Sequence, residues 1–524
     1  MHCTCVRHTE LPHTSPLFAD VLYHPDRISA FYHHPLRDEA AYRAAAAEIR
    51  FSGAQRAALV AALREQNPDN DSLQLLAQPG TVVVATGQQV GLFSGPAYTV
   101  YKALHAAKLA RWLTSIGIPA VPIFWLATED HDFDEVNHVW VFDREFASHR
   151  LEMRRSASSQ PAGEVTLVAP PVAELQEILG GMPFGAEVSA MVEAAYRPGV
   201  TMGKAFGDLL RRMLPGYGIL QVDPMLPAFR ELAAPTLRAA VESAESLTAG
   251  VLERNRQLAD AGYHAQVHVE PSTSFVFLIE NGKRLTLRRN GAEYGLNGRR
   301  FTTEELAQTA RWLSPNALLR PVVQDSVLPT VATIGGPAEI AYFAQSEVLY
   351  RSLLGRMPVA VPRSGFTVLD ERSQKRLDRY SLSLSDFFHG EDALRERMAS
   401  TLVPPALNHV LRQTSSTVDG AVAQLRAALA GFDPTLAKAL DLSARKIRHQ
   451  LSKMEAKAGR EALRRDERAA HDARSLYGLI YPQRHLQERL LSYLPLLAQH
   501  GPELTGQVYD AIELGCADHR ILVV

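Results

Sequence analysis

Apolar residues recur along this chain in two rhythms. Short apolar, often β-branched runs form the first: "TVVVATG" (81–87), "VPIFWLA" (121–127), "GILQVDP" (218–224) and "MPVAVPR" (357–363). Runs of this length, apolar throughout, predict buried parallel strands rather than half-exposed ones. Helical spacing fills the gaps. "PAYTVYKALHAAKLARWLTSIG" reads as a helix ended by Gly117, and further helices are expected near 202–214 and over 228–261. "VLPTVATIGGPAEIAYFAQSEVLYRSLL" repeats the order of strand, glycine turn and helix. The expected core is therefore α/β with a parallel sheet. Residues 1–75 read as polar loop followed by helix. "HAQVHVEPSTSFVFLIENGKRLTLRR" (264–289) breaks the pattern. It alternates, and Asn281-Gly282 marks a tight hairpin, so an antiparallel insertion is expected at about 262–290.

Strand signals fade after about residue 380, and 416–475 is helical and highly charged. Gly431 reads as a break, with Asp433 as N-cap and Pro434 at the first helical position. Leu440, Ala444, Ile447, Leu451, Met454 and Ala458 alternate by four and three, the spacing of a coiled-coil seam. The seam covers under three heptads, which predicts a helical hairpin. The expected division is a core over 1–380, a coiled-coil region over 381–475, and a segment over 476–524 that packs back on the core.

Composition narrows the function classes. With 55 basic and 57 acidic residues, bulk charge points to neither nucleic acid nor an anionic membrane. No stretch is long and apolar enough to predict a membrane span. The three cysteines, Cys3, Cys5 and Cys516, do not form a disulfide framework and suit a cytoplasmic setting. Cys3-x-Cys5 has the wrong spacing for a zinc knuckle and lies in a terminus expected to be mobile.

The candidate chemistry sits where strands end. Two glycine turns, "TGQQVGLFSGPAYTVYK" (86–102) and "TIGGPAEIAYF" (333–343), each place Gly-Pro before a predicted helix: Gly95-Pro96 and Gly336-Pro337. Free backbone N–H groups at such starts favour an anion. Gly87, Gln88, Gln89, Ser94 and Gly95 from the first turn are therefore candidate ligand contacts, as are Gly335, Gly336, Glu339 and Tyr342 from the second. Lys102, two turns into its helix, is expected to reach solvent or a nearby acid. "ATEDHDFDEVNH" (127–138) puts five acids and two histidines directly after a predicted strand. His131, flanked by Asp130 and Asp132, is expected to have a raised pKa and to act as a general base, which makes these three the candidate catalytic residues. Asn137 and His138 read as caps of a following element. In "WLSPNALLRPVVQDSVLPT" (312–330), Asn316, Arg320, Gln324 and Asp325 are expected on one surface, with Arg320 able to fork onto a carboxylate or phosphate. Neither glycine turn is a P-loop or a dinucleotide fingerprint. No HExxH spacing exists, and no metal ligands are assigned.

"TGQQVGLFSGPAYTVYKA", "FWLATEDHDFDEVNH", "GYHAQVH", "SPNALLRPVVQD" and "GGPAEIAYFAQ" occur in this order between about 80 and 363. These stretches resemble the BshC family, the cysteine ligases of bacillithiol biosynthesis, as does "LYGLIYPQRHLQERLLSYLPLL" near the C-terminus. The resemblance implies a Rossmann-like core with inserted connective segments and an α-helical coiled-coil part used in homodimer formation. It implies amide formation between L-cysteine and the glucosamine amine of glucosaminyl-malate, with ATP and Mg²⁺ as the candidate means of activation. The small-molecule substrates are then cysteine and glucosaminyl-malate. Two other readings stay open: a metal-assisted hydrolase or transferase built on the 129–138 cluster, and a scaffold whose hairpin binds a partner.

Overall fold

A computed structural model of the chain describes residues 2–35, 38–68, 70–154 and 159–524. It comprises two compact units. The first is made of Met1–Arg144, Ser148–Val368 and Gln487–Val524, the second of Glu145–Ala147 and Leu369–Leu486.

The first unit is built on five strands: β1 (Val82–Gln89), β2 (Ala120–Ala127), β3 (Leu220–Val222), β4 (Thr330–Gly335) and β5 (Val359–Pro362). They lie in the order β5-β4-β1-β2-β3, all parallel. This is the doubly wound, Rossmann-like order. The chain runs outward from β1 to one edge, then returns to β1 on its other side. The strand order reverses between β1 and β4, where ligands bind in open α/β sheets.

Alternate residues of β1 face opposite layers. Val83 and Ala85 share a core with Ile340, Phe343 and Val348 of helix α2 (Pro337–Leu353). Val82 and Val84 pack instead with Ala106, Leu109 and Leu113 of helix α1 (Tyr98–Ser115). Both faces are covered, which is why the strand reads as one continuous apolar run. Val83 and Val84 are fully buried, each contributing roughly 1.5–3 kcal/mol relative to exposure.

Three expectations change. First, α1 begins at Tyr98, not at Pro96. A short 3₁₀ turn, Leu92–Ser94, intervenes, and Gly95 adopts φ +64°, a conformation that favours glycine. The next residues are held by the C-terminal segment: Pro96 bridges Ser492, and the Ala97 N–H donates to the Leu491 carbonyl. Second, the N-terminus is a strand rather than a mobile loop. His2–Val6 pairs antiparallel with His519–Val523, which pairs in turn with Phe366–Leu369. Third, the antiparallel insertion starts later and extends further than 262–290, with strands from Val276 to Pro315. Val276–Glu280 pairs with Lys283–Thr286 and Leu313–Pro315, and a second small sheet covers Arg288–Asn290, Glu293–Leu296 and Arg299–Thr302. The hairpin turn itself is where it was expected, with φ +52° at Asn281 and +71° at Gly282.

The second unit is helical. Pro405–Phe432 and Pro434–Arg465 form the coiled-coil hairpin. Asp433 caps the second helix, accepting the Thr435 N–H at 2.8 Å, with Pro434 in the first turn. Gly431 lies inside the first helix and does not break it. Along the predicted seam Ala444 is buried, and Leu440, Leu451 and Ala458 are half-buried. Ile447 and Met454 are 43% and 54% exposed. Among the described residues, no helix is long and apolar enough to cross a membrane.

Candidate active site at the sheet reversal

A cavity of about 550 Å³ opens at the carboxyl ends of β1 and β4. Its size falls in the range of small-molecule sites. It is lined by residues from all the segments that carried candidate chemistry. Gly87, Gln88, Gln89, Asp130, His131, Asp132, Asn316, Arg320, Gly336, Glu339 and Tyr342 all face it. Ser94, Gly95 and Gly335 do not line it. Ser94 is buried in the 3₁₀ turn, Gly95 turns toward the C-terminal segment, and Gly335 ends β4 inside the sheet. Gln324 and Asp325 are also buried away from it. Asp325 bonds the Tyr350 hydroxyl and accepts from Gln324 Nε2 at 3.0 Å.

One side is a buried charge network. Gly87 allows β1 and β2 to approach closely, since a Cβ there would lie 2.8 Å from the Trp125 carbonyl oxygen. The Gly87 carbonyl accepts from Lys102 Nζ, which also donates to Gln88 Oε1 at 3.3 Å and Glu339 Oε2 at 2.6 Å. Lys102 is therefore fully buried, not solvent-directed. Burial draws the Lys102 ammonium below its ordinary pKa, although Glu339 opposes this. Burial pushes the Glu339 carboxyl upward, but Lys102 and Arg320 outweigh it and hold the group below its usual range. The same carboxylate accepts the Gly336 N–H at 2.8 Å, so α2 caps its own first donor. Of the two glycine turns, then, only the second brings a helix start with glycine and proline to the cavity. Arg320 donates to the Tyr342 hydroxyl at 2.9 Å, and Asn316 Oδ1 is held by the N–H groups of Leu318 and Leu319. Arg363, beneath Tyr98, is forked onto Glu488 at 2.9 and 2.6 Å.

The opposite side carries the acidic segment. Glu129 is 4% exposed. It accepts from Ser314 Oγ at 2.8 Å and lies 3.9 Å from Arg230. Burial raises its pKa in spite of Arg284 and Arg230. Asp130 goes the other way. Burial would raise it, but the Gln89 amide at 2.7 Å, Arg284, and the backbone N–H groups of Asp132 and His131 pull it down. Asp132 is exposed and precedes the short helix Phe133–Val136. Asn137 ends that helix, and His138 opens the strand His138–Phe142.

The hairpin supplies a residue that sequence reasoning missed. Arg284 lies 3.9 Å over the Phe277 ring and donates to Ser314 Oγ and the Pro315 carbonyl. Its Nη1 lies 3.0 Å from His131 Nδ1 and 3.4 Å from Asp130 Oδ1. Arginine can only donate, so Nδ1 accepts, and the neutral ring must carry its proton on Nε2. Burial, then Arg284, lower the His131 pKa, and the flanking acids do not reverse this. The expected rise is therefore overturned. His131 Nδ1 is already engaged, which leaves the ring a donor through Nε2–H. Only the spacing of the hairpin turn could have signalled Arg284, because the contact spans 153 residues.

Among the described residues, neither Arg320 nor the exposed Arg489 at the cavity's edge has a carboxylate within ion-pair distance. The site thus offers two guanidiniums that make no ion pair, Arg320 still within the field of Glu339, facing acids on the other wall.

Comparison with known sequences agrees with this architecture. Residues 1–364 match the family described as bacillithiol biosynthesis BshC, N-terminal Rossmann-like domain, and residues 366–524 match its C-terminal coiled-coil domain. A protein of Solibacter usitatus named "Putative cysteine ligase BshC" is 66% identical over 524 residues, covering 100% of both chains. Proteins of the same name from Koribacter versatilis and Symbiobacterium thermophilum are 35% and 31% identical. The first comparison covers 99% of each chain, the second 93% of this chain and 94% of the relative. From the order of the sheet to the coiled-coil hairpin, the chain belongs to the BshC family of bacillithiol biosynthesis.

Proposed function

We propose that this chain is a ligase that joins the carboxyl group of L-cysteine to the glucosamine amine of glucosaminyl-malate, giving bacillithiol. The observation that carries this reading is the pair of arginines that make no ion pair, Arg320 and Arg489, in a cavity whose far wall is acidic. Malate brings two carboxylates that guanidiniums bind in forked geometry. The glucosamine ammonium suits Asp132 and Glu135, both exposed on the opposite wall.

Amide formation from a free carboxylate requires activation, and ATP with Mg²⁺ is the activator in this proposal. Of the α2 start, the Ala338 N–H stays free for its phosphate oxygens, because the Gly336 N–H is taken by Glu339 and Pro337 has none. The chain's own groups then divide the proton work. Adjacent carboxyls with pKa values pushed apart mark separate roles. Asp130 stays ionised and holds Gln89 and the His131 backbone. Glu129, raised by burial, accepts the proton that the attacking amine must lose. His131 donates Nε2–H to the oxyanion that develops on the acyl carbon. No observation favours the metal-assisted alternative, since the arginine at His131 Nδ1 opposes a cation there. A cytoplasmic homodimer is part of the same proposal, with the exposed seam of the hairpin as its interface.

The test is reconstitution. Purified protein is incubated with cysteine, glucosaminyl-malate and Mg·ATP, omitting each in turn, and the amide is sought by mass spectrometry. Product that requires all components, with AMP or ADP released, is expected. Absence of the amide under every combination, despite saturable binding of glucosaminyl-malate, would remove the ligase reading.

A further inference from the structure

We propose that His33, His34 and Glu48 form a binding site for one zinc-class divalent cation, separate from the cavity at the sheet reversal. The two histidines follow the 3₁₀ segment Pro25–Phe31, and Glu48 is the last residue of the helix Glu39–Glu48. His33 Nε2 lies 3.2 Å from Glu48 Oε1, and His34 Nε2 lies 3.2 Å from Glu48 Oε2. One ligand atom from each of the three side chains falls within 4.8 Å of the others. Among the described residues, no other group of three His, Cys, Asp or Glu side chains converges in this way.

The spacing suits a metal. Bonds of about 2.0–2.2 Å in a tetrahedral shell place neighbouring ligand atoms about 3.4 Å apart. The two nitrogen–oxygen separations, one to each oxygen of Glu48, are each within a few tenths of an ångström of that, and a small turn of the carboxylate brings one oxygen to both rings. The two imidazoles meet edge to face, with centroids 4.6 Å apart, so both rings can turn a nitrogen to one point without stacking. His34 is buried, while the side chains of His33 and Glu48 remain about one-third exposed. The fourth position therefore faces water.

The charges point the same way. Glu48 sits at the carboxyl end of its helix, where the helix dipole disfavours a negative group. On binding, each histidine moves its remaining proton to Nδ1, so the change is tautomeric and needs no co-reactant. The ion would tie the loop after Phe31 to the helix end. Tyr32, next to His33, already fastens this loop by donating its hydroxyl to the Ile340 carbonyl of α2 at 2.8 Å.

The experiment uses the full chain, stripped of metal with a chelator and titrated with Zn²⁺ in a competition calorimetric assay. His33→Ala and Glu48→Gln serve as variants because both side chains are partly exposed. One equivalent of Zn²⁺ per chain is expected. Each variant should weaken binding at least about 100-fold while melting at the temperature of the metal-free parent. Zn²⁺ should raise the melting temperature of the parent and not of the variants. No saturable binding, or binding undiminished in both variants, would overturn the proposal. The second result would move the ion elsewhere, with Cys3, Cys5 and Cys516 next to be replaced.

Discussion

Lys102 and Glu339, separated by 237 positions, meet at 2.6 Å where β1 and β4 diverge. The contact joins the helix after one central strand to the helix after the other, across the point where the sheet reverses. Removing one partner of such a pair leaves a charge without compensation in a buried place. Lys102→Met should cost about 3–5 kcal/mol, nearer the lower figure because Glu339 keeps the Gly336 N–H. The double variant Lys102→Met/Glu339→Gln should recover at least half of the loss. Urea denaturation of the parent, Lys102→Met, Glu339→Gln and the double variant checks this, and additive losses would refute the coupling.

Arg363 and Glu488 form a second buried pair. Burial pushes the Glu488 carboxyl up, yet Arg363, His519 and the Phe366 N–H bring it down to about 2. A carboxyl with a depressed folded pKa adds stability above its unfolded pKa and loses it as pH falls toward the folded one. The contribution should therefore be complete above about pH 4.5 and vanish progressively toward pH 2, on the order of 3 kcal/mol in all. Denaturant midpoints between pH 7 and pH 2.5 should show a decline that Glu488→Gln flattens.

The Arg284–His131 contact makes a spectroscopic prediction that needs no substrate. Removing a neighbouring cation favours protonation of the ring, so Arg284→Met should raise the His131 pKa. The change is read from the labelled histidine signal in an NMR titration. A midpoint that stays put or falls would mean that Arg284 does not set the tautomer. In the reconstituted reaction the parent should keep its activity below pH 6.5, because the neutral ring persists there, and the variant should lose it sooner.

The proposed function gives Arg320 the malate carboxylates to bind. Loss of one charge-assisted hydrogen-bonding group amounts to about 1.5–3 kcal/mol. Arg320→Ala should thus raise KM for glucosaminyl-malate about 10- to 100-fold and leave KM for cysteine nearly unchanged. A change confined to cysteine would exchange the two subsites.

Ile447 and Met454 keep much of their surface exposed on a seam in which Ala444 is buried. If the seam is completed by a second copy, Ile447→Lys with Leu451→Lys should shift sedimentation toward monomer while the helical circular dichroism is retained. Unaltered mass would place the dimer contact elsewhere.

The parallel sheet was legible because strands buried on both faces leave runs such as "VVVATG" that no surface element shares. The acidic segment was legible from composition, and the hairpin helices from Asp433-Pro434. Other features depended on partners far along the chain. Nothing near Lys102 names Glu339 as the acid it meets, and nothing near His131 announces Arg284, so the partner of the first was left open and the expected pKa of the second was wrong. The strand His2–Val6 carries no apolar alternation strong enough to name it, since its pairing partner begins at His519. His33 and His34 stand side by side in sequence, but Glu48 is 14 positions further on and completes no familiar spacing.

That terminal pairing bears on biosynthesis. During synthesis the first strand leaves the ribosome hundreds of residues before its partner exists. Glu488 and Arg489 emerge almost as late, after the whole helical hairpin. The Rossmann-like unit therefore waits, with one edge unsealed and Arg363 uncompensated, while an inserted domain is completed ahead of it. A nascent chain halted anywhere before residue 488 holds most of the sheet and most of the cavity's lining, but lacks Arg489 and the carboxylate that Arg363 is forked onto.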